Sequence, residues 1–274
     1  MEVLQASKEN FFCYPSSEVN TISFEEFISK KNSIKSLKEK GFLVVKDVIP
    51  KKDIDNARDV YFSLFKKGEY KKDKENWKHL YNHEDSHGCK NHPSIKFIKT
   101  KQFLKIAYSD KLNSLSKRIL NSENTNLSPR MIVRSFSNLS KRCTYAHRDK
   151  EYFKSSNPQN VATCWIPIGP VGKLLGQLIY LMDSQNFESK IDDLVNEDKI
   201  ISKNLGNLAK DLNMNWIRPI VEEGDVIFHS LEIVHASFDS NSNIPRLSID
   251  LRYSASKDDH DSRWSNPWRG DDGL

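Results

Sequence analysis

The segment TYAHRDKEYF, residues 144–153, sets a histidine and an aspartate two residues apart. In an extended backbone alternate side chains share a face, so the imidazole of His147 and the carboxylate of Asp149 can converge on one point. A second imidazole, His235, stands just beyond GDVIFHS, which reads as a turn followed by a strand. A loop or a following strand could return it to the same point. Two imidazoles and one carboxylate form a facial set that leaves three adjacent positions open on non-heme Fe(II), enough for a bidentate cosubstrate and dioxygen. The H-x-D pair alone is weak evidence, because a surface histidine beside a solvated aspartate has the same sequence.

Arg246 strengthens the pattern. It follows His235 by eleven residues and opens the β-like run RLSIDLRY, in which Arg246 and Ser248 share a face. A guanidinium holds a carboxylate through two parallel charge-assisted hydrogen bonds, and a neighbouring hydroxyl adds another. This is an anchor for a dicarboxylate; the alternative is a structural ion pair on an edge strand. In SPRMIVRSFS, Arg130, Ile132 and Arg134 alternate onto one face, where two arginines would suit an anionic group, including the chelating end of a cosubstrate. If the face of Met131, Val133 and Ser135 points inward instead, the arginines are solvated. Gln177 in GQLIY and Trp165 in ATCWIPIG lie on neighbouring predicted strands within reach of a cosubstrate, although Trp165 reads better as core. Tyr145, Tyr152 and Phe153 flank the H-x-D pair and could pack over a substrate.

A rival site lies in HLYNHEDSHGCKNH. His79, His83, His87 and His92, half of the 8 histidines, stand there with Cys89. Four of these groups could bind zinc, but the spacing matches no standard finger, and the polar composition suits a loop. Cys13, Cys89, Cys143 and Cys164 are irregularly spaced with no C-x-x-C pair, so they read as reduced thiols.

The elements that must position these residues change character along the chain. FEEFISKKNSIKSLKEKG reads as a helix ended by Gly41, and GFLVVKDVI as a short strand. Ile54, Ala57, Tyr61, Leu64 and Phe65 follow Pro50 at helical spacing, which predicts an amphipathic helix over 51–67. From residue 129 short β-rich runs take over: MIVRSFS, ATCWIPIG, QLIYLMD, DVIFHS and RLSIDLRYSA. Residues 185–215 form a polar insertion with helical patches. The pattern predicts a mainly β protein with flanking helices, its core a double-sheet jelly roll. We expect a single domain over 1–274: a mostly helical part to 125, a β core over 126–256 and a tail over 257–274.

Bulk properties limit the partners. The 274 residues, 37% hydrophobic, can bury a sizeable core. A net charge of +5 is spread over 42 basic and 37 acidic residues, without the dense basic tract of a nucleic-acid binder. The start MEVLQASKENFFCYP lacks a basic region followed by an apolar core, and no apolar run approaches a bilayer span. The expectation is a cytoplasmic protein that meets a small molecule, neither nucleic acid nor membrane. Walker-A and G-x-S-x-G patterns are missing, and GPVGKLLG matches no dinucleotide fingerprint.

With HRD at 147–149, GDVIFHSLEIVHAS reaching past His235, Arg246 and its strand, and the opening GFLVVKDVIPKKDI, the chain resembles the phytanoyl-CoA dioxygenase family of Fe(II)/2-oxoglutarate-dependent oxygenases over roughly residues 41 to 254. The resemblance implies a double-stranded β-helix, the cupin-like jelly roll, with His147, Asp149 and His235 as iron ligands. It implies Arg246 as partner of the distal carboxylate of 2-oxoglutarate, with Ser237 assisting at the cosubstrate and Ser248 completing an Arg-x-Ser arrangement. Iron(II), 2-oxoglutarate and dioxygen would then serve the hydroxylation, or another oxidation, of a small polar metabolite, with succinate and carbon dioxide as coproducts. LMDSQNF stands where a Gly-Ser-His turn commonly follows in relatives, which alters the pocket rim. Two other readings differ in class: a catalytically silent jelly-roll binding protein, and a zinc hydrolase built on residues 79–92, for which no base or nucleophile is evident.

Overall fold

A computed structural model describes residues 13–29, 37–72, 78–80, 91–138, 144–255 and 262–271. Its strands are β1 (Cys13–Ser16), β2 (Thr21–Ser23), β3 (Phe42–Lys46), β4 (Tyr70–Lys72), β5 (Lys78–Leu80), β6 (Asn126–Leu127), β7 (Ile132–Phe136), β8 (Val161–Pro167), β9 (Leu178–Leu181), β10 (Trp216–Pro219), β11 (Val226–Ser230), β12 (His235–Ser237) and β13 (Arg246–Ser254). Its helices are α1 (Phe24–Ser29), α2 (Leu37–Lys40), α3 (Lys51–Ser63), α4 (Pro93–Phe97), α5 (Lys101–Ala107), α6 (Asp110–Ile119), α7 (Lys150–Phe153), α8 (Glu188–Asp192) and α9 (Leu205–Leu212).

The larger sheet runs β2-β3-β11-β8-β13-β6, with β7 also paired to β13; the smaller runs β1-β10-β9-β12. Phe42, Val44, Trp165 and Ile227 from the larger sheet pack with Leu178 and Tyr180 from the smaller, so one apolar layer lies between the two sheets. A second lies outside the larger sheet, where Leu247, Ile249 and Leu251 of β13 meet Ile54, Ala57 and Tyr61 of α3 and Phe103 and Ile106 of α5. This is the jelly roll with helices packed outside that the sequence predicts. Strand β13 carries the division: its odd-numbered residues face the helices, and Arg246, Ser248, Asp250 and Arg252 take the opposite face. All are buried.

Local chemistry explains the boundaries. Pro50 precedes α3 with a fixed extended conformation, and the helix ends at Ser63, short of residue 67, ahead of the Lys-Lys-Gly turn. Gly224 sits at φ +102°, and a Cβ there would lie 2.6 Å from the Ile49 carbonyl oxygen. The Gly224 carbonyl accepts both the Val48 and the Ile49 N–H, so the turn that opens β11 is tied to the end of β3. The helical start is interleaved with strands, since β3 pairs with β11 and β1 with β10. The insertion after β9 has an apolar face: Ile191 of α8 and Leu205, Leu208 and Leu212 of α9 cover Ile179, Leu181 and Trp216 on the outside of the smaller sheet. The C-terminal segment is likewise packed, with Trp264 and Trp268 buried.

Candidate metal centre

The two histidines, distant in sequence, meet through backbone. His147 donates its N–H to the His235 carbonyl at 3.1 Å and His235 returns the bond at 3.0 Å, a one-pair antiparallel bridge that faces their rings at 4.2 Å between centroids. The extended conformation ends there: Asp149 is already helical (φ −67°, ψ −24°) at the entry to α7. The i, i+2 convergence still holds, because Arg148 between the two points away, to Glu151 and to Asp192 of α8. Asp149 Oδ1 lies 3.9 Å from His147 Nε2 and 3.7 Å from His235 Nε2.

The donor set fits a divalent cation. One ligand atom from each of His147, Asp149 and His235 lies within 4.8 Å of the others, and all three residues are buried. His147 Nδ1 lies 2.8 Å from the Tyr145 carbonyl and His235 Nδ1 3.1 Å from that of Ile233, so both rings donate outward from Nδ1 and turn the Nε2 lone pair to the centre. Burial, together with the neighbouring imidazoles, holds His235 well below the usual histidine range. Burial lowers His147 too, with Asp149 acting the other way. Burial would raise the Asp149 carboxyl, but Arg252, His229 and His235 reverse that and hold it well below the carboxylate range. Two neutral imidazoles and an ionised carboxylate are the protonation states a cation requires.

Residues that the strand patterns did not single out surround Asp149. Its Oδ2 accepts from Arg252 Nη2 at 2.8 Å and from the Thr163 hydroxyl, and His229 Nε2 lies 3.4 Å away. His229 Nδ1 in turn meets the Tyr180 hydroxyl at 2.9 Å. Arg252 and Asp250 could have been found by carrying the even-numbered face of RLSIDLRY two steps further; Thr163 alternates with Trp165 on β8 in the same way.

The other predicted residues divide. Arg246 is buried, its guanidinium over the rings of Phe136 (4.5 Å) and Trp165 (5.8 Å), and Nη1 donates to Ser248 Oγ at 2.8 Å. Ser248 therefore orients Arg246. Ser237 clamps the extended segment that carries His147: its Oγ accepts the Thr144 N–H at 2.8 Å. The Gln177 amide donates to the Pro219 carbonyl and accepts from Arg218 at 3.1 Å, so β10 engages both its ends. Arg134 donates to Asp250 at 2.7 Å.

Arg130 does not share a face with Arg134. The strand starts only at Ile132, after the Pro129 bend, and Arg130 turns to the C-terminal segment, pairing with Asp271 at 2.9 Å beside Trp264. Phe153 does not cover the site either. One helical step past Tyr152 it enters the outer core against Trp264, 5.1 Å between ring centroids. Tyr152 itself sets its edge on His147 at 5.6 Å with Lys199 over its ring, and Lys203 stands over Tyr145. Of the rival histidine cluster, His83, His87 and Cys89 lie outside the described residues, and so does the His79 side chain; His92 caps α4 by accepting the Ser94 N–H. Cys13 and Cys164 are free thiols, and burial pushes both up in pKa; Cys143 lies outside the described residues.

Comparisons with known proteins agree with this architecture. The family model described as phytanoyl-CoA dioxygenase matches residues 37–248. No curated relative matches the chain. Among solved structures, the non-heme alpha ketoglutarate dependent epimerase SnoN from nogalamycin biosynthesis superposes with a TM-score of 0.56 at 15% identity, covering 79% of each chain. The carbocyclase SnoK of the same biosynthesis gives 0.56 at 14% identity, covering 82% of this chain and 84% of that one. EctD from S. alaskensis gives 0.53 at 12% identity, covering 82% and 80%. At such identities these likenesses establish the fold.

Proposed function

The chain belongs to the phytanoyl-CoA dioxygenase family, whose cofactors are iron(II) and 2-oxoglutarate, and from that premise we propose that it hydroxylates, or otherwise oxidises, a small polar metabolite at a centre held by His147, Asp149 and His235. The observation that carries the site assignment is the convergence of two Nε2 atoms and one carboxylate oxygen in a buried space between the sheets, with the predicted Arg246 anchor facing the same gap. When bound, iron(II) couples the decarboxylation of 2-oxoglutarate by dioxygen, giving succinate and carbon dioxide, to oxidation of the substrate.

The protein's part is binding, orientation and exclusion of water. Arg246 holds the distal carboxylate of 2-oxoglutarate in a planar fork, and Ser248 and the Phe136 and Trp165 rings fix that fork. Arg134 of β7, ion-paired with Asp250 of β13, stands beside Ser248 on the same sheet face and in this reading lies towards the chelating end of the cosubstrate. Tyr145 and Tyr152, each with a lysine over its ring, form the substrate side of the centre, and their mixed aromatic and cationic character supports a polar substrate. The chain works as one oxygenase domain in this reading.

The test is anaerobically purified protein supplied with Fe(II), 2-oxoglutarate, oxygen and a metabolite extract, followed for succinate coupled to a mass shift. Alanine at His147, Asp149 or His235 should abolish succinate formation while the apolar layers, which do not involve these side chains, stay packed; Asp149→Ala should also lose stability, because it leaves the buried Arg252 unpaired. Normal turnover in Asp149→Ala would sink the assignment. A protein that binds both metal and 2-oxoglutarate without producing succinate would be a silent binding member of the fold.

A further inference from the structure

The Asp149 carboxylate is built asymmetrically. Oδ2 receives the Arg252 guanidinium and the Thr163 hydroxyl and has His229 Nε2 beside it, whereas Oδ1 alone faces the two histidine Nε2 atoms. Strand register explains the convergence: Arg252 and Thr163 are paired across β13 and β8, so both side chains leave the same face of the sheet and reach the same oxygen.

Arg252 is itself held for this task. Its guanidinium lies over the Trp264 ring at 5.0 Å, and Nη1 is 3.9 Å from Asp250 Oδ2, which already accepts from Arg134. Neither Nε nor Nη1 has a hydrogen-bond partner among the described residues. A buried arginine that merely tied the sheet together would distribute its donors. This one directs its hydrogen bond at Asp149.

We propose that Arg252, with Thr163, is a positioning residue that locks Asp149 as a one-oxygen metal ligand and keeps its second oxygen away from the centre. The proposal rests on the reading of His147, Asp149 and His235 as metal ligands and adds what sets the denticity of the carboxylate. Without the lock, the carboxylate is free to turn and offer both oxygens, occupying a position that the cosubstrate needs. The same strand would then serve both ends of the site, Arg246 at the distal carboxylate and Arg252 behind the metal carboxylate.

The test uses Co(II) as a redox-stable, coloured probe in the full chain, read by titration and by the visible ligand-field spectrum. Arg252→Gln should weaken Co(II) binding roughly 10- to 100-fold, the usual effect of losing a partner behind a ligand, and should change the spectrum. Arg252→Lys should recover part of the affinity, and Thr163→Val should lose less than Arg252→Gln. Wild-type affinity and spectrum in Arg252→Gln would overturn the proposal. Should that variant fail to fold, Thr163→Val and Arg252→Lys decide instead, and unchanged spectra in both would overturn it. Asp149→Ala separates the two readings. Loss of Co(II) binding there, with Arg252→Gln unaffected, removes only the positioning role; wild-type binding there removes the metal centre and the proposal with it.

Discussion

At the residue scale, Arg246 is the group whose removal has the most specific expected consequence. It is 1% exposed, packed between Phe136 and Trp165, and braced by Ser248. Arg246→Ala should weaken 2-oxoglutarate binding by about 2–3 kcal/mol, because a charged carboxylate is left in an aromatic pocket without its charge-assisted partner. Lysine should restore only part of this, since it keeps the charge and loses the planar fork. Ser248→Ala should cost less, because the serine acts by orienting the arginine. Anaerobic titration of the visible Fe(II)–2-oxoglutarate charge-transfer band measures all three. An unchanged curve for Arg246→Ala would move the carboxylate to another cation, with Arg134 the next candidate.

At the scale of elements, the insertion after β9 matters more than its polar composition suggests. Its apolar face covers the smaller sheet, and its backbone pairs with the segment that carries His147: Ala146 donates to the Ser202 carbonyl and accepts from Ile201. Arg148, 1% exposed, adds an ion pair to Asp192 of α8 at 2.5 Å. Arg148→Ala should lower stability by about 1–2 kcal/mol, below the cost of breaking a fully buried pair because the Asp192 side chain is half exposed. It should also weaken Co(II) binding, since residues 147 and 149 flank the lost anchor. Urea midpoints for Arg148→Ala, Asp192→Ala and the double variant test this. Additive losses would mean that the pair does not couple the insertion to the site.

At the scale of the whole molecule, the buried imidazoles should make the metal-free protein sensitive to acid. Burial depresses the histidine pKa values in the folded state, so between those values and the unfolded value of about 6.5 the unfolded chain binds more protons. Their contribution to stability is therefore complete above about pH 6.5 and is lost as the pH falls below it. The depressed Asp149 carboxyl adds a loss of the same sign at lower pH. The urea midpoint should be flat from about pH 8 to 7 and fall towards pH 5, and less so in a His147→Gln, His235→Gln variant; equal slopes would show that other groups carry the acid sensitivity. Much of this protein is legible in its sequence. The period-two runs locate β7, β8, β11 and β13, the Pro50 and Gly41 signals fall at helix boundaries, and the spacing of His147, Asp149 and His235 picks out three groups that the fold brings together as a set able to hold a metal ion. These are local properties, set by backbone alternation and turn geometry within a few residues. Tertiary structure alone decided which polar groups converge. Arg252 reaches Asp149 across 103 positions of sequence, Arg130 and Phe153 turn to the C-terminal segment, and Ser237 bonds the backbone at Thr144, just before His147. Strand alternation tells which residues share a face, but the register between strands and the competing partners at each end of a long side chain determine what that face meets.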